Sequence, residues 1–364
     1  MMRIKAAVVH DKGENFRIEE VELSDLKRDE VLVKIVASGI CHTDAVARDI
    51  GLTPFPAVLG HEGSGIVEKV GPDVKTIQPG DHVVISFASC GQCEHCLTGH
   101  PGACFKINEL NFGGKDEDGD YRIFQNGRGV STFFGQSSFA TYAIAKERNV
   151  VKVDKDVDLA LLSPLGCGIQ TGAGTVLNKL KPAFGSSIAV YGCGAVGLSA
   201  VMAAKIAGCK QIVAVDIHQN RLELAKELGA THVLNGKEAD VVKEIKAVTG
   251  GGTHYAVETT GVPAVVRQSL KALRPLGQTA IVGVTPEMTI DVHNEIMAEG
   301  KTMMGVIEGD AVPKLFIPQL IAYYKKGLFP FDKLIRFYAF DEINKAFEDS
   351  GKGITVKPVI KISA

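Results

Sequence analysis

AVYGCGAVG, residues 189–197, decides the fold. The apolar run Ile188–Tyr191 reads as a strand, and it enters a turn where Gly192, Gly194 and Gly197 are spaced G-x-G-x-x-G. The stretch that follows, LSAVMAAKIAG, is built mainly of helix formers. A lone G-x-G-x-x-G carries little weight. Here a strand precedes it, a helix follows it, and Asp216 closes the next strand, which is the context a dinucleotide fingerprint requires. Gly192 permits the tight turn, Gly194 lets the backbone approach a pyrophosphate, and Gly197 lets helix and strand pack closely. The helix N-terminus offers free N–H groups and a positive dipole end to the phosphates. Asp216 can accept hydrogen bonds from both adenosine ribose hydroxyls, and its charge repels a 2′-phosphate. That chemistry favours NAD over NADP. A glycine-rich turn beside a surface aspartate is the bland alternative, and the full pattern weighs against it.

Working outward toward the C-terminus, short apolar strands alternate with helical stretches. The strands are expected at Ile188–Tyr191, Ile212–Val215, His232–Leu234, Tyr255–Glu258, Thr279–Val282 and Thr302–Ile307, with helices among Arg221–Leu228, Ala239–Val248 and Pro263–Leu273. Such alternation implies right-handed crossovers and a parallel sheet with helices on both faces, a doubly wound Rossmann domain. Toward the N-terminus the grammar differs. Glu30–Ser38, Gly65–Val70 and His82–Ser86 are β-branched runs punctuated by Gly, Pro and Asp, which suggests a compact β-rich, barrel-like domain. Lys106–Arg128 is polar and glycine-rich and reads as a surface loop, while Val356–Ile362 reads as a closing strand. The expected division is therefore α/β, with a β-rich domain from residues 1–168 and 308–364 and a dinucleotide domain from 169–307.

A chain of 364 residues with 45% hydrophobic content suits two domains with sizeable cores, which excludes a disordered or fibrous chain. A formal charge of -2 gives no electrostatic reason to expect nucleic acid. Ile188–Ala204 is apolar enough to suggest a membrane span, but a span needs roughly 20 apolar residues and Lys205 closes this one early. No secretory signal is legible at Met1–His10, so a cytoplasmic location is expected, and the clustered cysteines are then better read as metal ligands than as disulfides.

Cys90, Cys93, Cys96 and Cys104 are spaced C-x2-C-x2-C-x7-C. Four thiolates presented by tight turns can close a tetrahedron around zinc and leave no open position. Such a site orders a loop and does no chemistry. Iron–sulfur ligation is the rival, since ferredoxin-type runs also repeat C-x2-C. The distant fourth cysteine, with no proline after it, departs from the bacterial ferredoxin run.

Cys41, His61 and Cys167 are too scattered for spacing to connect, and singly each reads as a buried structural residue. Their contexts are GICHTD (39–44), LGHEGSGIVEKVG (59–71) and SPLGCGIQTGAG (163–174). Together with the cysteine quartet and the nucleotide fingerprint, these segments resemble the zinc-dependent medium-chain alcohol dehydrogenases, over the chain from about residue 3 onward. The resemblance implies a GroES-like catalytic domain beside the Rossmann domain, one catalytic and one structural zinc, and NAD. It implies that Cys41, His61 and Cys167 hold the catalytic zinc, leaving a fourth position for water or substrate oxygen. Glu62 looks like the acidic neighbour that approaches the metal during ligand exchange, and Asp44 like the carboxylate that orients His61. Thr171 and Val196 match positions beside the nicotinamide. Val282, Val284, Val306 and Glu308 lie on segments that approach its carboxamide. His42 and Lys357 match positions near the pyrophosphate, and Arg221 one near the adenosine ribose.

The implied reaction is oxidation of an alcohol by hydride transfer to NAD, with zinc lowering the pKa of the bound alcohol. Thr43 is placed to take the alcohol proton and needs a relay. In the animal enzymes of the family a histidine five residues after the first ligand cysteine serves; that position is Val46 here, so the proton is expected to leave through His42 or water. Within the family, STFFGQSSFATYA (131–143), GVIEGD (305–310) and FPFDKLIRFYAFDEINKAFEDS (329–350) resemble bacterial aryl-alcohol (benzyl-alcohol) dehydrogenases. Phe133, Phe134, Leu52 and Ile307 could then line an apolar substrate pocket, although each phenylalanine alone reads equally well as core. Aliphatic or allylic alcohols, a formaldehyde–thiol adduct, and a non-catalytic zinc-stabilised binding protein are the alternatives. The last would be favoured by a missing ligand or fingerprint glycine, and none is missing. The partner expected beyond the small-molecule substrate is a second copy, as a dimer or tetramer joined at the Thr302–Ile307 strand.

Overall fold

The computed structural model describes residues 1–363. The chain forms two compact units: Met1–Gly168, Val312–Gln319 and the stretch from Asp332 onward in the first, Ile169–Ala311 and Leu320–Phe331 in the second. Segments 308–311 and 320–331 thus depart from the expected division. For the former the reason is close packing: a Cβ on Gly309 would lie 2.5 Å from the carbonyl oxygen of Gln170, within the second unit.

In the second unit six parallel strands, Ser187–Tyr191, Gln211–Asp216, His232–Asn235, Thr253–Glu258, Leu273–Ile281 and Thr302–Gly305, stand in the order 3-2-1-4-5-6. Every residue of Ser187–Tyr191 is buried, as a central strand covered on both faces requires. Ala189, Tyr191, Val213 and Val215 share one core with Val241, Ile245 and Leu270 from the crossover helices Val241–Thr249 and Pro263–Lys271. The helix Ala195–Ile206 is buried from Gly197 to Ala204, so the apolar stretch Ile188–Ala204 is a buried strand and a core helix joined by the glycine turn. Among the described residues no helix is long and apolar enough to cross a membrane. The last strand stops at Gly305, two residues short of the expected Ile307, because the chain then turns through Glu308, Gly309 and Asp310 at φ 50, 66 and 48.

The first unit holds two largely antiparallel sheets of five and seven strands. Glu30–Gly39 lies inside the larger one, flanked by Gly63–Val70 and Tyr142–Lys146. Its alternation decides the layers: Val31, Val33 and Ile35 face a core with Val67, Val83 and Ile85, while Leu32 faces another with Ile4, Val8 and Val21. The result is a half-barrel. Lys106–Arg128, read from sequence as a loop, contains the helix Ile107–Phe112 and the strand Ile123–Gln125. Tertiary bonds make that helix: Asn111 accepts from the Ala88 N–H at 2.9 Å and donates to the Ala88 carbonyl at 2.9 Å, and Leu110 is buried against Cys90 and Cys104. Composition cannot display such bonds.

Candidate active site and metal centres

The compact cysteine cluster sits on tight turns. Cys93 caps the short helix Glu94–Leu97, and Cys104 follows the 3-10 turn Pro101–Ala103. One ligand atom from each of Cys90, Cys93, Cys96 and Cys104 lies within 4.8 Å of the others. Backbone N–H groups aim at the sulfurs: Cys93 donates to Cys90 Sγ at 3.3 Å, Cys90 to Cys104 Sγ at 3.3 Å, and Lys106 to Cys104 Sγ at 3.4 Å. Hydrogen bonds from the Cys96 and Phe105 N–H groups draw the Cys93 thiol down to about 6, whereas burial and Cys93 itself push Cys96 up to about 12. Four thiolates this close repel one another, and a dication removes the conflict.

The second cluster forms where neighbouring strands end. Gly39 donates its N–H to the Glu62 carbonyl at 3.0 Å, which brings the segment after Gly39 beside the segment before Gly63. Cys41 caps the short helix His42–Val46, and Cys167 follows the buried turn Ser163–Gly166. A Cβ on Gly166 would lie 2.4 Å from the Ile85 carbonyl oxygen, so only glycine lets that turn settle onto the sheet. Cys41, His61, Glu62 and Cys167 then bring one ligand atom each within 4.8 Å of the others.

Asp44, fully buried, organises this cluster. Its carboxylate accepts from the N–H of Cys41 at 3.0 Å, the N–H of Gly60 at 3.1 Å and His61 Nδ1 at 2.9 Å. With Nδ1 donating, the lone pair of His61 points from Nε2, which is buried and has no protein partner. An orphaned lone pair facing two cysteine sulfurs fits a metal. A hydrogen bond from Cys167 holds the Cys41 thiol well below its ordinary value, against the opposing effect of burial and with help from His61. For His61, burial opposes a charged ring, yet Asp44 outweighs it and the pKa rises, so a metal taken up at Nε2 would displace a proton there. Glu62 and Lys357 form a fully buried ion pair: Lys357 Nζ reaches both carboxylate oxygens at 2.9 Å and the Ile40 carbonyl at 3.0 Å. Glu62 Oε1 also accepts from the Gly168 N–H at 3.0 Å. Burial lifts the Glu62 pKa in spite of Lys357; it opposes the charge on Lys357, which Glu62 more than restores.

Sequence reasoning missed this pairing, since positions 62 and 357 share no motif. A faint signal was Gly39, where a Cβ would meet Glu62 Oε2 at 2.0 Å. It also missed the face that Phe134 lays on His61, with ring centroids 4.3 Å apart and planes 24° apart; Phe133 meets the same ring edge-on at 5.5 Å. Both phenylalanines are buried, while Leu52 and Ile307 are exposed. Thr43 Oγ1 lies 3.7 Å from Cys41 Sγ, His42 is exposed on the first helical turn, and Val46 ends that helix.

In the second unit the phosphate turn has the expected steric logic. A Cβ on Gly197 would lie 1.7 Å from the Gly192 oxygen, and Gly192 itself has φ +87. Around the Cβ position of Gly194 there is nothing within 4 Å, an open cradle at the N-terminus of Ala195–Ile206 that fits a pyrophosphate. Asp216 closes its strand and accepts from the N–H groups of Cys193, Ile217 and His218. Arg221, on the next helix, has a buried Nε without a protein partner. Val196 abuts the helix that carries Thr171, since a Cβ on Gly172 would lie 1.9 Å from the Val196 oxygen. Thr171 donates to Glu308 at 3.3 Å; Val306 is buried, Val282 half-buried and Val284 exposed.

Fold and clusters together define a zinc- and dinucleotide-dependent dehydrogenase. Residues 27–155 match the alcohol dehydrogenase GroES-like domain, and residues 195–323 match the zinc-binding dehydrogenase family. The chain is 45% identical over 361 residues to geraniol dehydrogenase of Castellaniella defragrans, covering 98% of this chain and 97% of that one. It superposes on the crystal structure of benzyl alcohol dehydrogenase from Acinetobacter calcoaceticus with TM-score 0.96 and 51% identity, covering 100% of both chains. An alcohol dehydrogenase zinc-binding domain protein from Burkholderia ambifaria gives TM-score 0.97 and 50% identity, again over 100% of both. The chain belongs to the zinc-dependent medium-chain alcohol dehydrogenase family. Its two clusters correspond to one catalytic and one structural zinc site, its Rossmann unit binds NAD, and it interconverts alcohols and aldehydes.

Proposed function

We propose that the substrates are benzyl-type primary alcohols and their aldehydes. The observation that carries this reading is the likeness to a benzyl alcohol dehydrogenase, 51% identical over 100% of both chains. Phe134, stacked on His61 and backed by the buried Phe133, gives the cluster an apolar, aromatic backing in keeping with a flat substituent on the carbinol carbon. The likeness to a geraniol dehydrogenase favours a second reading, an allylic alcohol.

Cys41 Sγ, Cys167 Sγ and His61 Nε2 are the proposed ligands of the catalytic zinc, and Cys90, Cys93, Cys96 and Cys104 those of the structural one. Bound zinc supplies Lewis-acid polarisation of the substrate oxygen, and NAD supplies the hydride acceptor. Asp44 fixes the tautomer and direction of His61. Glu62 stands ready beside the ligands, with Lys357 balancing its charge. Thr43 takes the alcohol proton and passes it to the exposed His42 or to water, in place of a relay at Val46. Thr171 and Val196 hold the nicotinamide face, the segments of Val282, Val284, Val306 and Glu308 its carboxamide, and Asp216 with Arg221 the adenosine ribose. The Thr302–Gly305 strand closes one edge of the parallel sheet, and we assign it the contact with a second copy.

The test is kcat/KM for benzyl alcohol, geraniol and ethanol with NAD and with NADP. Benzyl alcohol should exceed ethanol by at least about tenfold, with NAD preferred. A preference for ethanol overturns the reading, and a preference for geraniol over benzyl alcohol moves it to the allylic class.

A further inference from the structure

The two ends of a bound dinucleotide are assigned by the sheet order. Asp216 closes the second strand, and Thr302–Gly305 is the sixth, at the far side of the order 3-2-1-4-5-6. In a doubly wound sheet the dinucleotide lies across the carboxyl ends of the strands, its adenosine ribose at the acidic residue of the second. The nicotinamide half therefore extends toward the fourth to sixth strands. Glu308 follows the sixth strand by three residues, on that same carboxyl side.

The turn carrying Glu308 is tightly seated. A Cβ on Gly309 would lie 2.9 Å from the Thr171 oxygen, and a Cβ on Gly174 2.4 Å from the Gly309 oxygen. The helix of Gly172 in turn abuts Val196 of the phosphate turn. Glu308 Oε2 accepts from Thr171 Oγ1 at 3.3 Å and from Gln170 Nε2 at 3.4 Å. Glu308 and Asp310 both take left-handed φ, at 50 and 48, a conformation that costs a non-glycine residue and persists where the surroundings enforce it. Lys179, a nearby cation, pairs with Asp310 at 3.4 Å. The carboxylate of Glu308 is thus anchored by Thr171 and Gln170, half-buried, on the side of the sheet assigned above to the nicotinamide half.

NAD+ and NADH have the same shape to a first approximation but differ by one positive charge on the nicotinamide ring. We propose that Glu308 sets the preference between them: its carboxylate attracts the cationic ring of NAD+ and gains nothing from the neutral ring of NADH. The inference rests on the NAD-binding reading of this unit. It gives the turn an electrostatic role in the balance between oxidation and reduction, because tighter NAD+ relative to NADH favours exchange of spent for fresh cofactor in the direction of alcohol oxidation.

The test measures binding, without turnover. Dissociation constants for NADH, from its fluorescence, and for NAD+, by displacement of NADH, are compared for the zinc-loaded full chain and for E308Q. The ratio Kd(NAD+)/Kd(NADH) should rise by about 3- to 10-fold in E308Q, as expected when a fixed charge is removed from near another in a partly exposed site. E308N gives an independent neutral variant, since asparagine tolerates left-handed φ, and it should raise the ratio in the same direction. A ratio unchanged in both variants, or both constants moving together, overturns the proposal while leaving the cofactor reading standing. Failure of the unsubstituted chain to bind either nucleotide overturns both.

Discussion

Asp44 shows how much of a metal site can rest on one side chain that never touches the metal. Its carboxylate receives three N–H groups, from Cys41, Gly60 and His61, in a fully buried setting. It thereby caps the helix that follows Cys41 and turns the His61 lone pair toward the cysteines. In D44N the amide cannot serve all three donors, and its own NH2 opposes His61 Nδ1. The expected outcome is a catalytic-site zinc affinity lower by about 10- to 100-fold, with the structural zinc retained. Zinc content per chain, read by elemental analysis after graded chelator challenge, should fall from two toward one at chelator levels that leave the unsubstituted protein intact. Retention of both ions at equal chelator would remove Asp44 from the orienting role. At this scale the sequence was only partly legible. Cys41, His61 and Cys167 are joined by strand pairing and by a turn resting on Ile85, none of which spacing encodes. Their placement was inferred through resemblance.

At the scale of the element, the phosphate turn was the most legible part because its chemistry is written in the backbone. Two of its glycines are needed for opposite reasons, and the difference is testable. A Cβ at Gly197 would lie 1.7 Å from the Gly192 oxygen, a collision of backbone with side chain that nothing flexible can relieve. A Cβ at Gly194 meets nothing within 4 Å, so the empty space is kept for a ligand. G194A should fold with a melting temperature within about 2 °C of the parent, as expected of a change that disturbs no packing, and should weaken NADH binding by at least about tenfold. G197A should lower the melting temperature by several degrees or fail to fold, in line with overpacking costs of about 1–3 kcal/mol or more. Equal NADH affinity in G194A and the parent would mean that the cradle is not a pyrophosphate site. The helix Ile107–Phe112 marks the opposite limit. Its six residues, INELNF, are too short for a period to stand out, and the bonds between Asn111 and Ala88 that secure it join residues more than twenty apart in sequence. Periodicity shows elements several turns long, not a short turn held by bonds from elsewhere in the chain.

At the scale of the whole molecule, the alternation of strands and helices after residue 186 made the six-stranded sheet legible, while its open edge shows only in three dimensions. Thr302–Gly305 pairs on one side with Leu273–Ile281 and, among the described residues, has no further strand beyond it in the sheet order. Unpaired backbone groups along such an edge are a template for another strand. Leu276, at 78% exposure, stands near Gly300 just before this edge, and Val292 and Met297 are exposed at 63% and 64% on the preceding segment. Large apolar side chains beside an open edge are what an association surface provides. The edge is expected to pair with its own copy about a two-fold axis, which gives a self-complementary contact from one surface. The Val306 N–H donates inward to the Ile281 carbonyl at 3.0 Å, so by alternation the N–H of Gly305 faces the open edge. G305P removes that outward N–H and places a ring where a strand must approach, at a position whose Cβ meets nothing within 4 Å. Sedimentation velocity should then show the parent as a dimer or larger and G305P shifted toward the monomer by at least about tenfold in dissociation constant. An unchanged assembly in G305P, or a monomeric parent, would place the contact elsewhere. If the monomeric variant still binds NADH, the cofactor site is complete within one chain; if it does not, the edge contact also supports the turn that carries Glu308, which follows this strand directly.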